Sequence, residues 1–239
     1  MDCLLCRDLS GICESHRAHP ALIVLPGGGY NHISPREGEP VALRFLSHAV
    51  NCFILHYPVG KDIRKESPLE TLSALVDEIH DRAEDYGVDR TRMAVIGFSA
   101  GGHLAASYGT IRKGLHLSAM ILGYPVITSG TWAHQASFDM LCRTQEERQE
   151  YSIETRVDQS TLPSFIFTSA DDRTVSVENS LLMASALSQN GVPFELHIFP
   201  SAVHGSSVGT CEVGTRNPDF ARWFPLALDW LFKIWRYEE

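Results

Sequence analysis

A chain of 239 residues, 44% hydrophobic and 21% charged, can bury one large core or two small ones without disulfide or metal staples, and this profile excludes disordered, collagenous and coiled-coil classes. Twenty Lys and Arg against 29 Asp and Glu leave a formal charge of −9, which lacks the basic excess expected of a non-specific nucleic-acid binder. No apolar run reaches the roughly 18 residues that a bilayer-spanning helix requires, so no membrane role is expected.

At the start of the chain, charges at Asp2, Arg7 and Asp8 interrupt the apolar residues, unlike the basic and then continuously apolar regions of a secretory leader. Cysteines at 3, 6, 13, 52, 142 and 211 are neither clustered nor evenly spaced. Cys3-x-x-Cys6 with Cys13 would leave a zinc ion short of a fourth ligand, so the thiols read as free and the expected compartment is the cytoplasm.

The run 21–25 (ALIVL) is continuous and rich in branched residues, which predicts a buried strand running into Pro26-Gly-Gly-Gly29. A short helix is expected over 40–48 and a strand over 51–57. Leu69, Leu72, Leu75, Val76, Ile79, Ala83 and Tyr86 recur at steps of three and four, predicting a helix over 68–86 that Gly87 stops. Further strands are expected at 92–97, 117–122, 164–168 and 194–199, with helices at 104–108, 180–189 and 220–237. Strands buried on both faces and alternating with helices predict an α/β fold: a mostly parallel, doubly covered sheet in a single domain. Ligands of such sheets bind beyond the carboxyl ends of the strands. The long polar stretch from Thr128 to Thr161 interrupts the alternation and is expected to be a small insertion over the site, like a lid.

The strand endings carry the chemistry. Gly97-Phe-Ser99-Ala-Gly101 matches G-x-S-x-G between an apolar strand and a helix, where a sharp turn exposes the serine and the helix N-terminus faces a developing oxyanion. The base and its orienting acid should follow later strands in the order acid, then histidine. His204 follows the last strand, and Asp171 and Asp172 follow the one before it; spacing alone does not separate the two aspartates. Gly27-Gly28-Gly29-Tyr30 lacks both the Gly-Lys-Ser/Thr of a phosphate loop and a dinucleotide fingerprint, and fits the second oxyanion donor. Among the other histidines, His32 is placed near the substrate, His134 in the insertion, His56 in the core and His197 at a sheet face.

These segments, with Gly102-His-Leu-Ala105, Gly123-Tyr-Pro-Val-Ile-Thr128, Asp171 to Leu181, Gly191 to His197 and His204-Gly205, resemble α/β-hydrolases of the carboxylesterase type. The likeness extends from about Ala21 to Trp235, and within that superfamily the chain is similar to the small acetylesterases grouped with xylan and acylated-sugar esterases. The resemblance implies an Asp-x-x-Val arrangement that assigns Asp172 over Asp171, with Ser176 in place of the usual proline. It implies oxyanion donors at the amides of Gly28, Gly29 and Ala100, with Pro26 where relatives often carry a histidine. The region before the first strand is shorter than in many relatives, which commonly place an antiparallel hairpin there, so the resemblance implies an N-terminal edge left bare or covered by a partner subunit in a homo-oligomer.

The expected activity is hydrolysis of short-chain, above all acetyl, esters of sugars or oligosaccharides through an acyl-enzyme on Ser99, with no metal or organic cofactor. Tyr30, Trp132 and Phe138 are candidates for an aromatic wall against a sugar ring. The same triad would also serve an amidase, a formamidase or a small peptidase, although peptidases of this fold usually carry a large extra domain. A non-catalytic binding homologue is the reading from a different class, and it would be expected to have lost the nucleophile or base.

Overall fold

Every residue of the run from Ala21 to Leu25 is fully buried, because alternate side chains meet a different helical layer. Ala21, Ile23 and Leu25 join one hydrophobic cluster, Leu22 and Val24 the other. In this computed structural model, which describes residues 1–6 and 18–237, the run forms β2 (His19–Leu25) of a seven-stranded sheet. Arg7, Asp8, Cys13 and His16 lie outside the described residues.

The strands are β1 (Asp2–Leu4), β2, β3 (Asn51–Ile54), β4 (Val88–Phe98), β5 (Ala119–Gly123), β6 (Ser164–Ser169) and β7 (Phe194–Phe199). Their order is β1-β3-β2-β4-β5-β6-β7, parallel except for β1. On one face lie α2 (Ser67–Asp81), α3 (Ala100–Ile111) and α6 (Glu178–Gln189); on the other lie α1 (Glu39–Leu46) and α7 (Trp223–Trp235). The chain passes from β2 to β3 on one side and then crosses back to β4 on the other. The carboxyl ends of β2 and β4 therefore flank the point where strand order reverses, the usual binding crevice of an open α/β sheet.

One expectation changes and a second gains detail. The edge of β3 is not bare: β1 lies antiparallel along it with Cys3 opposite Phe53, and three residues are too few to show a strand period. The 128–161 insertion is helical, with α4 (Gln135–Leu141), α5 (Gln145–Glu150) and a 3-10 turn over Ile153–Thr155. Thr144 and Glu147 form a capping box that starts α5. Phe138, Leu141, Tyr151 and Ile153 bury themselves in the cluster that contains α3, so this segment is a layer of the core as well as a cover.

Helix α3 is buried along almost its whole length, and its one imidazole must find partners inside. His103 Nε2–H donates to the Tyr151 carbonyl at 2.9 Å, which leaves Nδ1 to accept the Tyr30 hydroxyl at 2.7 Å. The ring thereby ties α3 to the insertion and to the glycine loop after β2. Burial pushes its pKa down from 6.5 to about 4. Below pH 6.5 the unfolded chain takes up a proton there that the folded chain refuses, so stability is lost as pH falls from about 6.5 to about 4, by roughly 3 kcal/mol. Urea unfolding at pH 7 and pH 4 should accordingly show a decline in the wild type that His103→Gln reduces by about that amount. Identical declines in the two proteins would refute the assignment.

Candidate active site

Strand β4 ends at Phe98 and α3 begins at Ala100, so the whole reversal falls on Ser99, at φ 53° and ψ −117°. A non-glycine residue held there stores about 1–3 kcal/mol of strain. The turn is jammed against the end of β2. A Cβ on Gly101 would sit 2.1 Å from the Leu25 carbonyl oxygen, and one on Gly97 would sit 2.1 Å from that of Gly101. Glycine is therefore required on both sides of Ser99. Ala100 is the first residue of α3, a position whose N–H has no partner within the helix.

The sequence-predicted triad residues come together. Ser99 Oγ lies 2.9 Å from His204 Nε2, and His204 Nδ1 lies 2.7 Å from Asp172 Oδ2. The carboxylate facing Nδ1 sets the tautomer, with Nδ1–H donating to Asp172 and Nε2 free to accept the serine proton. The Asp172 side chain is 1% exposed, and its other oxygen accepts the amides of Thr174 and Val175 at 2.9 and 3.0 Å. Asp171 points elsewhere. Its exposed carboxylate accepts Ser201 Oγ–H and the Ala202 amide, which hold it below the ordinary carboxylate range and clip the β6 loop to the loop that carries His204. The acid loop is anchored from behind by buried Asn179, whose Oδ1 accepts the amides of Ile127 and Thr128 and whose Nδ2 donates to the Trp132 carbonyl.

Ser99 and His204 open into a cavity of about 340 Å³ that Gly28 and Gly29 also line. Gly27, fully enclosed, presses its backbone onto the nucleophile: a Cβ there would lie 3.0 Å from that of Ser99. Gly28 and Gly29 have φ of +126° and +65°, which turns the chain sharply beside the nucleophile. The remaining lining includes Asn31, His32, Ser34, Arg36, Glu37, Thr174 and, from the insertion, His134, Ala136 and Met140. His134 bonds Ser137 Oγ through Nδ1, and burial, followed by the neighbouring His204, holds its pKa below the ordinary value.

The aromatic wall is not where the sequence put it. Tyr30 and Phe138 are 2% and 1% exposed, packed edge-on to His103 in the core, while Trp132 stands 47% exposed and does not line the cavity. A loop residue's side-chain direction depends on local backbone angles, and Tyr30 sits at φ 59°, which turns it inward. His56 is also corrected: β3 stops at Ile54, and His56 is an exposed partner of Asp2 at 2.7 Å. His32 lines the cavity and His197 stacks on Phe165 at the sheet face, both as expected. Met140, which the sequence offers with Trp132 and Phe138 as a residue narrowing the acyl side of the cleft, does line the cavity; Arg36 and Glu37, in a polar Ser-Pro-Arg-Glu turn, carried no motif.

The sequence matches the prolyl oligopeptidase family over residues 61–229, a span that holds all three triad residues but not the glycine loop. It is 34% identical over 209 residues to endo-1,4-beta-xylanase B of Butyrivibrio fibrisolvens, covering 80% of this chain and 33% of that protein. To the acetylxylan esterase of Xylanibacter ruminicola it is 28% identical over 200 residues, covering 80% and 42%. The chain thus spans less than half the length of these curated relatives. Among solved structures it is similar to an acetyl ester-xyloside bifunctional hydrolase from Caldicellulosiruptor lactoaceticus, with TM-score 0.86 and 32% identity over 95% of this chain and 87% of that one. It is similar also to the carboxylesterase Cest-2923 of Lactobacillus plantarum, with TM-score 0.89 and 27% identity over 99% and 93%. With a G-x-S-x-G turn after a parallel strand, an acid and a histidine after later strands, and this match over most of its length, the chain belongs to the prolyl oligopeptidase family and has the α/β-hydrolase fold.

Proposed function

We infer that the protein is a cytoplasmic serine carboxylesterase that removes short acyl groups, above all acetyl, from sugars or oligosaccharides. The hydrogen-bonded chain from Ser99 through His204 to Asp172 carries this reading, because it ends in an open cavity beside a glycine loop. The acetylxylan esterase and the acetyl ester-xyloside hydrolase among the protein's relatives support the acetyl and sugar components. Free thiols at Cys3, Cys6, Cys52, Cys142 and Cys211 support the compartment. Among the described residues no helix is long and apolar enough to cross a membrane.

In the proposed reaction His204 Nε2 takes the Ser99 proton as Oγ attacks the ester carbonyl carbon, and Asp172 stabilises the imidazolium. The amides of Gly28, Gly29 and Ala100 are the assigned oxyanion donors. His204 then protonates the departing alcohol, and water, deprotonated by the same ring, releases the acid and restores Ser99. The scheme uses no cofactor. Asn31, His32, Ser34 and Thr174 supply hydrogen-bonding groups for a hydroxylated alcohol, and Ala136 and Met140 from the insertion add aliphatic side chains to the wall. Membership of a family named for a peptidase favours one second reading, cleavage of an amide by the same residues.

A panel of acetyl, butyryl and octanoyl p-nitrophenyl esters, acetylated xylo-oligosaccharides and N-formyl and peptidyl amides separates these readings; faster turnover of the amides would replace the esterase assignment. Ser99→Ala should lower turnover by roughly 10³-fold or more, and a fluorophosphonate should label Ser99 on peptide mapping. An adduct at another residue would remove Ser99 from its role. Asp172→Asn should abolish most of kcat, while Asp171→Asn, which loosens only the clip to Ser201, should stay within roughly tenfold of wild type. The reverse ranking in folded variants would transfer the acid role to Asp171. A cavity of about 340 Å³ that must hold the alcohol as well as the acyl group leaves little room for a long acyl chain, so kcat/KM for the acetyl ester should exceed that for the octanoyl ester by at least roughly tenfold below its micelle threshold. Equal or rising values would point to an open acyl groove.

A further inference from the structure

Glu37 stands in the Pro35–Glu37 turn with 2% exposure, and among the described residues no Lys, Arg or His makes an ion pair with it. A buried carboxylate without a cation is costly and persists only when neutral donors satisfy it. Two do so here, and they belong to opposite sides of the site. Oε2 accepts the Gly27 amide at 2.8 Å, and Oε1 accepts the Tyr124 hydroxyl at 2.6 Å.

The first bond acts on the glycine loop. It fixes the Gly27 peptide immediately before the assigned oxyanion amides, at a place where a Gly27 Cβ would meet both Glu37 Oε2, at 2.7 Å, and Ser99 Cβ, at 3.0 Å. The second acts on the base. The Tyr124 ring stands edge-on to His204 with centroids 4.9 Å apart, and its phenol oxygen also accepts the Ser207 amide at 3.1 Å. Burial and then the Glu37 charge raise the phenol pKa well above its ordinary value, so it remains a donor to the carboxylate. Ser207 is held further by its hydroxyl, which donates to the Arg36 carbonyl at 2.6 Å, and by its own carbonyl, which accepts Trp223 Nε1–H at 2.8 Å. The turn at 36–37 is therefore fastened to both loops that must meet at Ser99.

We propose that Glu37 is a positioning residue, one carboxylate that aligns the oxyanion loop through Gly27 and the His204 loop through Tyr124. This rests on the esterase reading of the same site. A carboxylate suits the task because hydrogen bonds to an ionised acceptor are about twice as strong as neutral ones, and both oxygens can accept at once. In Glu37→Gln the charge is lost and one oxygen becomes a donor, so either the Gly27 bond breaks or the Tyr124 bond reverses and leaves the phenol proton without its acceptor.

The test compares Glu37→Gln, Tyr124→Phe and the double variant by acetyl-ester kinetics, by the rate of Ser99 phosphonylation and by thermal melting. Glu37→Gln should lower kcat and the phosphonylation rate together by about 30-fold, with KM within about threefold. Tyr124→Phe, which cuts one arm and keeps the ring, should lower both rates by about fivefold to tenfold, and the double variant should be no slower than Glu37→Gln alone. Folded Glu37→Gln with wild-type rates, a rise in KM alone, or multiplicative losses in the double variant would overturn the proposal. If Glu37→Gln fails to fold, Tyr124→Phe decides it, wild-type rates being the overturning result. Phosphonylation requires no particular ester, so a wild type that labels at Ser99 but hydrolyses no acetyl ester would displace the substrate reading and leave Glu37 judged on the labelling rates.

Discussion

The site depends on how closely the turn at Ser99 packs against the end of β2. Strands β2 and β4 pair in parallel with Leu25 beside Gly97, so both chains leave the sheet at the same level and must turn away from each other at once. Without side chains on Gly97 and Gly101, the turn closes on the Leu25 carbonyl, and the strain at Ser99 is borne by backbone packed on every side. Because Gly27 is pressed against Ser99 by the same contact, the nucleophile and the glycine loop are placed together rather than separately.

Around this contact, buried polar groups hold the surrounding loops to particular partners. His103 joins α3 to the glycine loop and the insertion, Asn179 joins the acid loop to the start of the insertion, and Glu37 joins the glycine loop to the segment after β5. An apolar core specifies volume but tolerates sliding, whereas a buried donor or acceptor that loses its partner is left unsatisfied. That asymmetry explains why loops of irregular backbone can hold Ser99, His204 and Asp172 within hydrogen-bond distance.

Local signals made much of this legible in the sequence. Branched apolar runs marked β2 to β7, and the three-and-four spacing marked α2, although the strand at Val88–Phe98 starts earlier and the helix at Ser67–Asp81 ends earlier than periodicity suggested. The closing helix was read as one element over 220–237, yet it opens with a 3-10 turn at Phe220–Arg222 before Trp223–Trp235. Within the insertion, Thr144-Gln-Glu-Glu147 spells a capping box, but a polar stretch with no clear apolar stripe concealed both helices. Strand β1 was too short to show any period.

By itself the sequence determined the layer order and the kind of residue at each strand end, because burial on two faces and the chirality of α/β crossovers leave few arrangements for alternating elements. It brought the choice of acid as far as Asp171 or Asp172, and only family resemblance separated them. The tertiary structure decided where side chains point: Asp172 toward His204 and Asp171 toward Ser201, Tyr30 and Phe138 into the core, Glu37 inward from a turn that reads as solvent. Those directions depend on loop backbone angles and on partners many positions away, Glu37 from Tyr124 and His204 from Ser99, and no local window of sequence contains both members of such a pair.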